Sequence, residues 1–373
     1  MATEDGRRMR YRTAQLSLAL AIVSLGSAVA AERNQEVIPR TEARDTRAIV
    51  KIIEASVNQA YQSGTRPAMR DAHAKGHGCV KATFSVDPNL PAALRQGVFA
   101  RPRTYKAWIR FSNGNGTPQP DETGDGRGMA IKLVGVPGNK VLANERNART
   151  QDFVMINYPV FFVRNVADYA SLEALLQKGK ADEFFAAHPQ SKAVVDAVTA
   201  KRVDNMLEER YFSMSAYRLG DQYIKFSARP IGCGSGAPLT EANKLAPRDN
   251  SHYLRDRMAT WLAHKDACFV FAVQPQTDPA TQPVEDPTVV WDETMAPLID
   301  VASIRIPQQK FDSTAQQTFC ENLSFTPWHS LPADRPVGGI NRLRKSVYEA
   351  ISNLRHRLNH APRAEPTGNE TFE

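Results

Sequence analysis

The sequence lacks most of the features that announce common ligand chemistries. Its four cysteines, Cys79, Cys233, Cys268 and Cys320, never form a CxxC pair, so the knuckle that holds zinc is absent. The glycine-rich stretch nearest to a phosphate-binding pattern is residues 113–126, and no strand-to-helix junction lies there. That excludes a phosphate-cradling loop and a nicotinamide fingerprint. No block of like charge occurs, although the formal net charge is +7. Basic residues scattered in this way argue against a nucleic-acid partner and leave only a mild attraction for anionic small molecules. Internal repeats are missing, and so are long apolar runs. The nearest to one, at residues 13–31, is diluted by alanine and serine.

What is present begins with that stretch. Arg7, Arg8 and Arg10 precede an apolar centre from Leu16 to Leu25, and Ala28-Val29-Ala30 follows with small residues. Basic, apolar and small segments in this order read as a secretory signal peptide over residues 1–31. The expected location is periplasmic or secreted, with membrane contact only through an uncleaved leader. Export permits one or two disulfides among the four cysteines, and buried thiols are the alternative.

Beyond the leader, residues 46–61 place Ile49, Ile52, Ile53 and Val57 on one face of a predicted helix. Strands are predicted at residues 81–86, 105–112, 129–134, 223–226 and 268–273, which are rich in aromatic and β-branched side chains. Helices are predicted at 171–176, 191–198, 203–210 and 340–358. Antiparallel strands first and helices later make an α+β chain. A domain over residues 32–361 is expected, followed by a polar, proline-containing tail at 362–373 read as disordered.

Three separated segments carry polar residues in places that suit chemistry. The first is Arg70-Asp-Ala-His73-Ala-Lys-Gly76-His-Gly78, a histidine ahead of a glycine-rich bend. Such a histidine can shuttle protons near neutral pH. The second pairs Arg110-Phe-Ser112 with Asp125-Gly-Arg-Gly-Met-Ala-Ile-Lys132. The third is Ile156-Asn157-Tyr-Pro-Val-Phe-Phe162, an apolar run interrupted by an amide that must find partners. Near the C-terminus, Arg344-Lys-Ser-Val-Tyr348 puts a guanidinium four residues from a phenol, on one face of a helix.

In this order the segments resemble the catalase superfamily. Its patterns are H-A-R-G-x-G, R-F-S, D-x-R-G-x-A-x-K, N-N-x-P-x-F-F and the late R-x-x-x-Y. Residues 291–306 and 311–327 are similar to its connecting stretches. The resemblance implies an antiparallel β-barrel core with surrounding helices and a C-terminal haem-ligand helix. It also implies an oxidoreductase acting on hydrogen peroxide or organic hydroperoxides.

Roles follow from the resemblance, residue by residue. Tyr348 corresponds to the ligand of the haem iron and Arg344 to its charge partner. His73 corresponds to the distal acid/base, Ser112 to its orienting partner, and Asn157 to the amide that positions peroxide. Arg70, Arg110 and Arg355 are similar to the arginines that pair with haem propionates, and Phe161 or Phe162 to a ring beside the distal face. The sequence departs from the pattern at Lys75, at Ile156 where the first Asn is expected, and at Met129. It also ends soon after the last helix. A more open haem and a monomer or dimer are therefore expected. Reduction or rearrangement of organic or fatty-acid hydroperoxides stands beside hydrogen peroxide dismutation. A non-catalytic haem- or lipid-binding protein, and a haem-free barrel carrier, are the remaining alternatives.

Overall fold

Alternation along the early strands sets the architecture. β1 (Gly76–Val86), β2 (Thr104–Asn113), β3 (Arg127–Val134) and β4 (Thr150–Ile156) pair antiparallel in sequence order. Successive side chains of a strand face opposite sides. Val80, Ile109, Phe111, Met129, Ile131, Phe153 and Met155 enter one buried cluster. Arg110, Ser112, Gly128, Ala130, Val154 and Ile156 take the other face.

The computed structural model describes residues 36–237 and 251–372, so the leader predicted at 1–31 lies outside the described residues. The later strands are β5 (Tyr211–Phe212), β6 (Tyr217–Leu219), β7 (Gln222–Ile231), β8 (Ala267–Pro275) and β9 (Ile299–Ile306). The sheet runs β5-β4-β3-β2-β1-β9-β8-β7, and β5 also pairs with β7, which closes an eight-stranded barrel with β6 hairpinned onto β7. Each predicted strand is present. The fold is the expected α+β barrel with flanking helices.

The barrel is filled. Phe84, Phe153, Phe226 and Phe271 meet inside it, with ring centroids 4.8 Å apart for Phe153–Phe271 and 5.2 Å for Phe84–Phe271. Their burial is a main source of stability, about 25 cal/mol per Å² of apolar surface. Phenylalanine rings packed this closely fill space that a carrier would need for its ligand, which argues against the barrel-carrier alternative.

Among the described residues seven α-helices surround the barrel: α1 (Glu42–Gln62), α2 (Val166–Leu176), α3 (Ala181–Ala187), α4 (Pro189–Ala200), α5 (Tyr253–His264), α6 (Thr314–Asn322) and α7 (Gly339–Leu358). α7 packs Leu343, Val347, Ile351 and Leu354 against Ile49, Ile53 and Val57 of α1. It begins after Gly338, whose φ of 87° favours glycine and whose Cβ would lie 2.2 Å from the Val284 carbonyl oxygen. The helix predicted at 203–210 does not form. Only the single turn Met206–Glu208 appears there, capped by the Asn205 side chain, because Val203, Met206 and Leu207 are spent covering the barrel core.

Both possible disulfides exist, Cys79–Cys320 and Cys233–Cys268. The tail expected to be disordered is instead seated on the outer barrel face. Glu365 reaches the fully buried Lys132 at 2.9 Å, Glu370 accepts from the Trp108 indole at 3.0 Å, and the Phe372 ring lies 5.1 Å from that of Phe319. Its composition is polar, but Arg363, paired with Glu145, and Asn369, which accepts from Lys106 at 2.6 Å, add to these anchors.

Lys132 also meets Asp152 at 2.7 Å. Burial raises the Glu365 carboxyl, but the Lys132 charge and His329 outweigh this and bring it down to about 2. A depressed carboxyl contributes stability above its unfolded pKa and loses it as pH falls through the folded value. Glu365→Gln should therefore destabilise the protein by about 2–3 kcal/mol at neutral pH, less than for a buried pair broken outright because Asp152 remains. In thermal melts the gap between the two proteins should narrow as pH falls from 4.5 toward 2.

Candidate active site

The outward face of β2–β4 and the inward face of α7 enclose the site. His73 sits in the turn before β1 with a left-handed φ of 59°. Its backbone N–H donates to the Gly114 carbonyl at 2.9 Å, and Arg110 donates to its carbonyl at 2.9 Å. The ring Nδ1 lies 3.0 Å from Ser112 Oγ. Burial, then the charges of Arg110 and Arg344, lower the ring pKa to about 4, so His73 is neutral at neutral pH. Strand register provides the room for this pair. Ser112 faces Gly128, where a Cβ would stand 2.6 Å from His73 Nδ1 and 2.7 Å from Ser112 Oγ.

Three arginines from three parts of the chain converge at one end. Arg70 meets Glu321 at 2.6 Å, Arg110 approaches it at 3.8 Å, and Arg355 is ion-paired to the same carboxylate. Burial and the Arg70 charge lower Arg110 to about 9 and Arg355 to about 10. The buried Arg110 Nε has no hydrogen-bond partner among the described residues. Asp71 is the other acid at this end, and burial raises its carboxyl to about 6. Cation exceeds anion here.

On α7, Arg344 donates to the Tyr348 hydroxyl at 3.0 Å and to Asn341 Oδ1 at 3.1 Å. No carboxylate lies within ion-pair distance of Arg344 among the described residues. Burial disfavours its charge, but Tyr348 and Tyr217 more than restore it.

Between these groups lie two neighbouring cavities. One, of about 100 Å³, is lined by Arg70, His73, Arg110, Ser112, Tyr348 and Arg355. The other, of about 500 Å³, shares His73 and Tyr348 and is otherwise mainly apolar, with Ile156, Phe161, Phe162 and Val347 on its wall. The sequence left Phe161 and Phe162 undecided, and both rings line it.

The structure thus brings together His73, Ser112, Arg70, Arg110, Phe161, Arg344, Tyr348 and Arg355. It does not bring Asn157. That amide accepts from the Arg127 backbone N–H at 2.7 Å and donates to Glu209 at 3.0 Å, away from both cavities. The reason is strand phase: Ile156 ends β4 on the outward face beside Gly128, and the next residue turns away. An isoleucine stands where the amide was expected. Sequence reasoning missed Glu321, Gly128 and Asp71. Gly128 was visible only as part of a motif, and nothing local marks Glu321.

Gly128→Ala should push His73 and Ser112 apart. An ångström-scale displacement of a reacting group costs about a hundredfold in kcat/KM, while overpacking costs about 1–3 kcal/mol of stability. Parallel turnover and melting measurements check this; activity near wild type would contradict the assigned packing.

A family model described as Catalase matches residues 57–334. The chain is 24% identical over 319 residues to a catalase-related peroxidase of Mycolicibacterium paratuberculosis, covering 81% of this chain and 94% of that protein. Its fold is similar to that of a bacterial catalase (TM-score 0.61, 17% identity, 85% of this chain and 62% of that one). It is also similar to catalase A of Saccharomyces cerevisiae (TM-score 0.60, 17% identity, 99% and 72%). By this match over most of its length, the chain belongs to the catalase family.

Proposed function

We propose that the protein is a haem-dependent peroxidase that reduces hydroperoxides, with Tyr348 as the iron ligand. The observation carrying this reading is the neutral, Ser112-bonded His73 sharing its cavities with the Arg344-bonded Tyr348. The residues present fit haem. The arginine end, with its surplus of cation and its unpartnered Arg110 Nε, suits two propionate carboxylates, which bind guanidinium forks well. Arg344, buried without a carboxylate, suits a phenolate beside it, and an anionic Tyr348 is the form that binds iron. The apolar wall suits a porphyrin's faces.

When bound, haem supplies the redox-active iron at which the peroxide O–O bond is cleaved. The chain's own residues handle protons and geometry. In the tautomer that donates a hydrogen bond from Nδ1–H to Ser112 Oγ, Nε2 is left free as a base. His73 then takes the proton from one peroxide oxygen and delivers it to the other as the leaving group departs. Its lowered pKa keeps it ready to accept that proton at neutral pH.

The substrate reading turns on Ile156. Hydrogen peroxide offers only polar contacts, and an isoleucine in place of an amide cannot anchor it. The mainly apolar 500 Å³ cavity favours a hydroperoxide with an apolar substituent instead. Hydrogen peroxide dismutation is the second reading, favoured by the family alone. Export to an oxidising compartment such as the periplasm is part of the proposal, supported by the two disulfides.

Two measurements test this. Haem-reconstituted protein should give a high-spin ferric tyrosinate spectrum that Tyr348→Phe abolishes; a spectrum indifferent to the substitution would refute ligation. With an added two-electron donor as reductant, oxygen evolution from hydrogen peroxide should be slow beside donor oxidation and alcohol formation from an alkyl hydroperoxide. Ile156→Asn should raise oxygen evolution about tenfold, the scale of one recovered hydrogen bond. No gain would show that the amide position does not limit dismutation.

A further inference from the structure

The arginine end is organised by a single residue. Glu321 belongs to α6, the carboxylate faces guanidiniums from the segment before β1 (Arg70), from β2 (Arg110) and from α7 (Arg355), and its own backbone carbonyl accepts from Arg70 at 3.2 Å and Arg355 at 3.1 Å. Arg70 also donates to the Leu323 carbonyl at 2.7 Å. Three guanidiniums this close, those of Arg110 and Arg355 buried, repel one another unless an anion lies among them.

The position of that anion is covalently set. Cys320, the residue before Glu321, is bonded to Cys79 on the outer face of β1, with Cα atoms 5.4 Å apart. One turn earlier, the Gln316 amide donates to the Cys79 carbonyl at 2.8 Å. Trp108 and Leu323 close over the disulfide. α6 is therefore pinned to the barrel at two points, and Glu321 cannot withdraw from the arginines without breaking one of them. Burial pushes the Glu321 carboxyl up, but Arg70, Arg110 and Arg355 together hold it below the usual range, so it stays ionised.

We propose that Glu321 is a resident anion that keeps the arginine seat assembled before the cofactor arrives, held in place by the Cys79–Cys320 disulfide. It is a positioning residue, and the proposal rests on the haem reading above. One carboxylate facing three guanidiniums, two of them in close ion pairs with it, with the Asp71 carboxyl raised toward its neutral form, leaves cation in excess. The carboxylates of an incoming dicarboxylate porphyrin complete the balance.

The sign of the effect follows from a thermodynamic cycle. Glu321→Gln removes an anion from both forms of the protein. In the cofactor-free form nothing replaces it, whereas in the loaded form the propionates lie among the same arginines. The cofactor-free form therefore loses more, and affinity for haem rises. A residue that merely braced the fold would weaken both forms alike or weaken haem binding.

The test compares wild type, Glu321→Gln and Glu321→Asp, each as cofactor-free protein titrated with haem and with haem dimethyl ester, whose propionates carry no charge. Glu321→Gln should lower the melting temperature of the cofactor-free protein and tighten haem binding about tenfold, the scale of one charge-assisted hydrogen bond. Its affinity for the ester should stay within about twofold of wild type, and Glu321→Asp, which keeps the charge, should resemble wild type with both ligands. Unchanged or weaker haem binding by Glu321→Gln, or an equal gain with the ester, overturns the proposal. Should Glu321→Gln not fold alone, refolding with haem must rescue it and refolding with the ester must not; rescue by both or by neither also overturns it. Wild type that takes up no haem removes the haem reading itself, an outcome separate from any contrast between the acid and the ester.

Discussion

Phe84, Phe153, Phe226 and Phe271 occupy the inside of the barrel, and the consequences run through the molecule. Once the interior is full, polar residues of β2 and β3 can stand on the outer face. Arg110, Ser112 and Lys132 do so, and each then needs a partner brought from elsewhere. The later chain provides these partners in turn: α6 brings Glu321, α7 brings Tyr348 and Arg355, and the tail brings Glu365. The site is the seam between a finished barrel and the elements laid over it.

That seam is held by charge as much as by apolar contact. Buried guanidiniums cannot shed their protons as a lysine can, so the only way to accommodate them is with anions or dipoles. At one end the chain keeps a carboxylate among three arginines. At the other it leaves Arg344 with an amide oxygen and phenols. Neutral His73 stands between two cationic regions, which suppresses its own protonation and suits it to accept a proton only transiently.

Much of this was legible in the sequence, for identifiable reasons. The i, i+4 spacing of Arg344 and Tyr348 fixes their contact once a helix forms, and the helix is plain from Leu343, Val347, Ile351 and Leu354. The strands announced themselves by aromatic and β-branched runs. What failed was strand phase at the end of β4. Ile156 and Asn157 are adjacent, and a shift of one residue reverses which enters the cavity. The segment at 203–210 carries helix-like apolar spacing but uses those residues as a plug over the barrel. The tail looks unstructured because its composition is polar, although Arg363, Glu365, Asn369, Glu370 and Phe372 each reach a partner on the barrel side. Glu321 carries no local signal, since its importance lies in three arginines distant in sequence.

The arrangement also bears on how the protein is made. A chain emerging from its N-terminus presents β1–β4, with Arg110 and Lys132 on them, long before Glu321, Tyr348, Arg355 and Glu365 exist. Barrel closure itself waits for β9 to pair with β1. The seam can therefore be completed only after synthesis is nearly finished. Loading of any prosthetic group between barrel and α7 is thus a post-translational event, and a chain halted before its final helix carries half of each contact and a complete version of none.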